Sequence, residues 1–190
     1  MTSKFFVILI LLYLYVANTM ASEIFKADEE HTFISLSYNH MGFSTQTIRF
    51  DKVFGTIILD PQSKSGKLDI VIDIPSISTG SAVFNDRIQE DDLFASRKFP
   101  TASFKSDRIV FNKDAISSVL GELTIKGISK PVEVKVNQFS CGRNFLTFKY
   151  TCGANALALI NRSNFNLGKY TPLVGDAVTI QIVIEATQEK

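Results

Sequence analysis

The sequence predicts an all-β fold that carries a short helical insert. Residues 67–74 alternate between polar and apolar side chains, which places Leu68, Ile70, Ile72 and Ile74 on one face. Alternation with a period of two is typical of a strand with one buried face. The pattern recurs in three further groups: Ile34/Leu36/Tyr38, Val132/Val134/Val136 and Val178/Ile180/Ile182/Ile184. About eight strands are predicted, each with one apolar face.

Turn residues lie between the predicted strands. Residues 60–66 begin with Asp-Pro and end with Gly, residues 126–131 contain Gly and Pro, and residues 141–144 contain Gly-Arg-Asn. Such clusters are typical of tight connections between antiparallel strands. We therefore expect most strands that are neighbours in sequence to pair as hairpins.

One segment departs from the strand pattern. Within residues 84–97, apolar and charged side chains repeat at helical spacing, as in the pair Arg87 and Asp91, which predicts a short helix or two. The strands around this insert fit either a two-sheet sandwich or a closed barrel, because both architectures hide one face of every strand. Alternation alone does not separate the two.

The first 21 residues have the pattern of a signal peptide. Lys4 precedes an unbroken apolar run at residues 5–16, and Ala21 ends a small-residue cleavage site. A membrane-spanning helix needs roughly 20 apolar residues, whereas the core of a signal peptide needs about 7 to 15. Removal of residues 1–21 on export is the expectation, and an uncleaved membrane anchor is the alternative.

The remaining segment, residues 22–190, is expected to form one domain. Its 169 residues suffice for a single hydrophobic core. It contains 19 basic and 19 acidic side chains, and a chain without excess positive charge is a poor match for nucleic acid.

Two cysteines, Cys141 and Cys152, lie on the exported side of the expected cleavage site. An oxidising compartment lets disulfides persist, and a hairpin between the two residues could bring them within bonding distance. A disulfide is the favoured interpretation. A metal or redox pair is the weaker one, because the Cys-x-x-Cys spacing is missing from the sequence.

Three segments, in the right order, resemble landmarks of the YceI-like family. The first is residues 31–42 with Phe-Gly-Thr-Ile at 54–57, and the second is the acidic stretch at residues 85–106, which runs into Phe-Pro and Phe-Lys-Ser. The third combines residues 121–132, Asn-Arg-Ser-Asn-Phe at 161–165 and Leu-Val-Gly-Asp at 173–176. The chain is therefore identified as resembling this family over nearly all of residues 22–190.

The resemblance implies an extended eight-stranded antiparallel barrel of lipocalin-like shape. It also implies export to the periplasm and, as in some members, a lumen that holds a polyisoprenoid or another long-chain amphiphile, with a homodimer possible. The chain departs from the family pattern at Ile48, where many members have Gly, and at Asn164 and Asn166, which replace Asp and Gly. These departures bear on the fit of a ligand.

The inward faces of the strands supply the candidate ligand contacts. The alternative is that the same side chains simply fill the barrel, since small barrels are often packed. The candidates are Ile34, Leu36, Tyr38, Leu68, Ile70, Ile72, Phe104, Leu123, Ile125, Val134, Ile180 and Ile182.

Three polar residues are candidates for contact with a lipid head group. His40, Arg87 and Arg162 stand in the family motifs, and the guanidinium fork of Arg suits phosphate or carboxylate. For Arg87 an ion pair on the helix surface is the stronger alternative, because Asp86, Glu90 and Asp91 are its neighbours in sequence.

Binding is the expected function, and neither a catalytic residue, a cofactor nor a metal is predicted. No nucleophile elbow, phosphate loop or His-Glu-x-x-His motif occurs in the sequence. His31 and His40 are nine residues apart, and an odd separation on a strand points two side chains to opposite faces. A lipid carrier or scavenger is favoured over a packed structural or stress-related barrel and over an enzyme that acts on a lipid.

Overall fold

The computed structural model describes residues 22–113 and 115–189, so the predicted signal peptide lies outside the described residues. Within these ranges no helix is both long enough and apolar enough to cross a bilayer. The strands and the helix, in chain order, are β1 Glu23–Ala27, β2 Phe33–His40, β3 Ser44–Phe50, β4 Val53–Asp60, β5 Ser65–Asp73, β6 Ile77–Ser78, α1 Ala82–Gln89, β7 Thr101–Asn112, β8 Ala115–Ile125, β9 Ile128–Arg143, β10 Tyr150–Asn161 and β11 Val174–Gln188.

Eight of these strands close into an antiparallel barrel, which confirms the predicted fold class and excludes the sandwich. The order around the barrel is β1, β4, β5, β7, β8, β9, β10 and β11, and β11 pairs with β1 to close it. Strands β2, β3 and β6 continue the sheet from β11 at one end. The pairing of β11 with β1 closes the sheet on itself, and β9 keeps one unpaired side before Lys135.

The barrel closes where β11 changes its partner from β2 to β1. Residues up to Val183 pair with β2, and Ala186 onward pair with β1. Thr32, which is only 2% exposed, lies at this junction. Its hydroxyl donates to the carbonyl of Glu185 at 3.1 Å and accepts from the Glu185 N–H at 3.2 Å. The junction therefore has no unpaired peptide group at Glu185.

Two turns differ from the prediction made from the sequence. One is shorter than predicted, and the other begins later in the chain. The turn predicted at residues 126–131 occupies only Lys126 and Gly127, and Pro131 lies within β9 opposite Glu122. Here β9 pairs with β8 alone, because its pairing with β10 begins at Lys135. A strand with one paired side tolerates the missing N–H of proline.

The second displaced turn lies between the two cysteines. Residues 141–143 belong to β9, and the turn occupies residues 144–149. Cys141 and Cys152 stand opposite each other in the β9–β10 hairpin, with a Cα–Cα distance of 4.0 Å and an S–S distance of 2.03 Å. The predicted disulfide is confirmed in the structure.

The predicted helical insert contains one helix, which is shorter than expected. Helix α1 begins after Ser81, whose hydroxyl accepts a hydrogen bond from the Phe84 N–H, and it ends at Gln89. The helix ends because Glu90 has an extended backbone, with φ −65° and ψ 163°. The residues that follow form turns, and Ala95 among them has a positive φ of 51°, which is incompatible with a second right-handed helix there.

Replacing Thr32 with Val tests the closing junction. The isosteric change removes the hydroxyl and leaves the Glu185 N–H without its partner, so the free energy of unfolding should fall by about 1–3 kcal/mol. Urea denaturation followed by circular dichroism measures this change. Thr47→Val is the control, because Thr47 is exposed, and it should change stability by less than about 0.5 kcal/mol. Equal effects of the two variants would contradict the assignment.

The disulfide should stabilise the fold by restricting the unfolded chain. The variant in which Cys141 and Cys152 are both Ser should lose roughly 2–3 kcal/mol of unfolding free energy, since the bridge closes a short loop. Urea denaturation with and without reductant checks this result. The reduced wild type should match the variant, and the variant itself should not respond to reductant.

Candidate functional site: an apolar interior with a polar mouth

A cavity of about 290 Å³ lies at the end of the barrel where β2, α1 and the loop before β11 meet. We call it the mouth cavity, and it reaches the surface because Met41 and Tyr170 on its wall are about half exposed. Its walls are formed by Leu36, Tyr38, His40, Met41, Ile48, Phe84, Arg87, Ile88, Leu93, Phe94, Ile125, Ile160, Arg162, Leu167, Lys169, Tyr170, Val174, Val178 and Ile180.

Two smaller cavities continue the space along the barrel. The inner cavity, of about 120 Å³, shares Ile180 with the mouth cavity. The lower cavity, of about 80 Å³, shares five wall residues with the inner one. Thr32 is the one wall residue of the inner cavity that carries a side-chain oxygen or nitrogen. The barrel therefore encloses a row of neighbouring apolar spaces that share wall residues.

All twelve residues predicted to face the lumen line the mouth cavity or the inner cavity. Their contact with a ligand stays a prediction. The mouth cavity has Leu36, Tyr38, Ile125 and Ile180 on its wall, and the inner cavity has Ile34, Leu68, Ile70, Ile72, Phe104, Leu123, Val134, Ile180 and Ile182.

Strand β10 also faces the interior and was not among the predicted lumen-facing segments. Its Ala154, Ala156 and Ala158 line the inner cavity, and Leu157 and Leu159 on its other face are exposed. The Ala-x-Ala-x-Ala spacing was visible in the sequence. The outward leucines hid it, because they make both faces of the strand apolar and remove the polar alternation that marked the other strands.

Arg162 organises the loop at the mouth. Its Nε donates to the Gly175 carbonyl at 2.8 Å, and Nη2 donates to the Val174 carbonyl at 2.8 Å. Its Nη1 donates to the carbonyls of Leu167 and Lys169. Since four carbonyls hold the guanidinium, the side chain ties residues 162–175 together. The predicted role of Arg162 toward a head group stays untested.

A second contact joins two of the family-like motifs. The Asp176 carboxylate accepts hydrogen bonds from the N–H of Ser163 at 2.8 Å and from its hydroxyl at 2.7 Å. Arg162 and Asp176 thus cross-link the stretches at residues 161–165 and 173–176, which lie side by side in the structure.

Arg87 also lines the mouth cavity, and its side chain is engaged as well. It forms a two-pronged ion pair with Asp92, at 2.7 and 3.0 Å, and contacts Glu90 at 3.0 Å. It also donates to the Tyr170 hydroxyl at 2.7 Å, which lowers the pKa of Tyr170. Lys169 forms a further ion pair with Asp92. Carboxylates thus balance much of the positive charge around the mouth.

His40 and Tyr38 line the mouth cavity next to these arginines. Burial raises the pKa of Tyr38, so its phenol stays neutral at ordinary pH. Ile48, one of the departures from the family pattern, is buried on the same wall. A side chain in place of Gly narrows this part of the cavity. Asn166, another departure, has a φ of 55°, a conformation that Asn tolerates better than most residues.

Three potential metal ligands, Asp28, His31 and Glu185, lie within 4.8 Å of one another near the barrel junction. The His31 Nδ1 and an Asp28 carboxylate oxygen are 2.9 Å apart. This hydrogen bond raises the pKa of His31 and lowers that of Asp28. Their mutual pairing accounts for the arrangement, and the expectation of no metal stays a prediction.

The YceI-like domain matches this chain over residues 25–186. A UPF0312 protein of Pseudomonas aeruginosa is 30% identical over 132 residues, which are 68% of this chain and 69% of that protein.

Solved structures agree with this assignment. BcnA of Burkholderia cenocepacia superposes with a TM-score of 0.72 at 28% identity, covering 85% of this chain and 99% of that one. A polyisoprenoid binding domain from Saccharophagus degradans superposes with a TM-score of 0.65 at 18% identity, covering 87% of this chain and 98% of that one. The second likeness concerns the fold alone. With the domain match spanning nearly all of the described barrel, the chain belongs to the YceI-like family.

Proposed function

We propose that this protein binds a long-chain apolar lipid, a polyisoprenoid or a similar amphiphile, inside its barrel and acts as a carrier or scavenger in the periplasm. The row of apolar cavities along the barrel is the observation that carries this proposal. A slender hydrocarbon chain matches a row of narrow apolar spaces better than a compact ligand does. The polyisoprenoid binding that names the Saccharophagus degradans domain supports this class of ligand.

The energetics of the interior favour a ligand over a packed structural barrel. Protein interiors are close-packed, and voids larger than a water molecule are few. An apolar cavity of about 150 Å³ stays dry and takes up apolar molecules. The inner cavity is of similar size and nearly free of polar groups, so a hydrocarbon chain in it gains contacts at no cost in buried hydrogen bonds.

The chemistry of the mouth suits a small polar end group. Arg87 and Lys169 already form ion pairs with Asp92, and the guanidinium of Arg162 already donates hydrogen bonds to backbone carbonyls. A strongly anionic head group would have to displace these partners. A hydroxyl or a similar neutral group could instead accept or donate a hydrogen bond at His40 or Tyr38, which lie on the cavity wall.

The sequence supports export and a binding role. The apolar run at residues 5–16 favours a cleaved signal peptide, and the family resemblance implies a periplasmic location. An enzyme that acts on a lipid is the weaker alternative, because the titratable groups Arg87, Asp92 and Arg162 around the mouth are held in ion pairs or by backbone carbonyls. The possible homodimer stays a prediction.

Mass spectrometry of the chloroform-extractable material tests the proposal. The full chain is expressed and purified from its own host, and the extract is compared with that of the variant Ala156→Phe. A long-chain species close to one per protein is expected for the wild type. In the variant, a phenyl ring replaces the methyl group on the wall of the inner cavity, so the bound amount should fall at least about fivefold.

Leu157→Phe is the matched control, because this neighbouring side chain is 37% exposed and points away from the lumen. It should retain the bound species at the wild-type level. An empty extract from folded wild type would favour the packed structural barrel. Equal lipid content in the two variants would place the ligand elsewhere.

Arg162→Lys separates support of the mouth from contact with the head group. Lys keeps the charge but cannot reach four carbonyls, so the free energy of unfolding should fall by about 2–4 kcal/mol. Lipid content per folded molecule should stay within about twofold of wild type, because the guanidinium is occupied within the protein. Loss of lipid with unchanged urea stability would instead identify Arg162 as a ligand contact.

A further inference from the structure

The tip of the β9–β10 hairpin exposes large apolar side chains at the end of the barrel opposite the mouth. Phe145 and Leu146 are each 91% exposed, and Phe148 is 70% exposed. All three lie in the turn at residues 144–149, beyond the disulfide. A contiguous apolar projection of this kind is typical of an interaction site.

The hairpin holds this tip in a defined shape. Cys141 and Cys152 cross-link the two strands at its base. The Asn144 side-chain oxygen accepts hydrogen bonds from the N–H groups of Leu146 and Thr147, and the Asn144 carbonyl accepts one from Phe148. These contacts fix the path of the turn, and its apolar side chains lie on the outside.

The charge of the hairpin selects the partner. Residues 141–152 include Arg143 and Lys149 and no acidic residue. Apolar side chains flanked by basic ones match the interface of an anionic phospholipid bilayer. The apolar side chains enter the boundary between head groups and acyl chains, and the basic side chains contact the phosphates. A second copy docked tip to tip would instead bring four cations together.

The base of the hairpin is held against the barrel. Tyr150 packs near Phe25 of β1 with ring centroids 6.4 Å apart. The tip beyond the disulfide therefore projects from an anchored base.

We propose that the hairpin tip, residues 144–149, docks on the surface of an anionic phospholipid bilayer. Phe145, Leu146 and Phe148 enter the interface, and Arg143 and Lys149 contact lipid phosphates. The twelve residues of β10 separate this end from the mouth end, which corresponds to about 40 Å at the usual rise of a strand. The docked barrel therefore turns its mouth away from the bilayer.

Tryptophan fluorescence can identify the inserted end, since the sequence contains no Trp. The variants Leu146→Trp and Phe43→Trp place a single reporter at the hairpin tip and at the mouth end, where Phe43 is equally prominent. The full chain is mixed with phosphatidylglycerol–phosphatidylcholine vesicles that contain brominated lipid. Leu146→Trp should show a blue shift and quenching, and Phe43→Trp should show neither.

Charge reversal at Arg143 and Lys149, both changed to Glu in the Leu146→Trp background, should weaken vesicle binding at least about tenfold. Quenching of the reporter at position 43 but not at 146, or of neither, overturns the proposal. A blue shift that follows protein concentration without vesicles also overturns it, because self-association then covers the tip. Circular dichroism confirms that every variant is folded. Loss of lipid binding inside the barrel would leave these readouts unaffected.

Discussion

Closure of the sheet on itself is the constraint on which the rest of the molecule depends. A barrel keeps its interior apolar only if its first and last strands meet, and here β11 must change partner from β2 to β1 along its length. Such a change interrupts the regular ladder at Glu185. The hydroxyl of Thr32 forms hydrogen bonds with both the carbonyl and the N–H of Glu185. This buried side chain thereby completes the junction between the barrel and the extension that pairs with β11, and that extension supplies part of the mouth.

Much of the fold could be predicted because most strands have one face exposed to solvent. The alternation around Ile70 and Ile180 identified inward positions correctly, since solvent and core impose opposite chemistry on neighbouring residues. The hairpin disulfide followed from the position of Cys141 and Cys152 on either side of a turn. Closure into a barrel could be predicted only from the family resemblance. The pairing of strands that are distant in sequence does not change the local alternation of polar and apolar residues.

The features that escaped prediction share a physical cause, which is dependence on distant partners. The alanines of β10 were missed because the outward leucines are apolar too. Pro131 was assigned to a turn, although β9 has a neighbour on only one side there. The engagement of Arg162 by four carbonyls depends on the path of the following loop. Sequence reasoning placed this arginine at the mouth but could not tell how much of it was free.

The alanine row on β10 has a consequence for how this barrel can diversify. Ala154, Ala156 and Ala158 point inward from one strand, and the closing junction at Thr32 lies on other elements. Changes of size at these three positions therefore alter the length and width of the enclosed space, whereas the hydrogen bonds that close the barrel are made by Thr32 and Glu185. Because Thr32 lies on the wall of the same cavity, the volume of the interior can change only as far as a larger side chain on β10 leaves this hydroxyl in place.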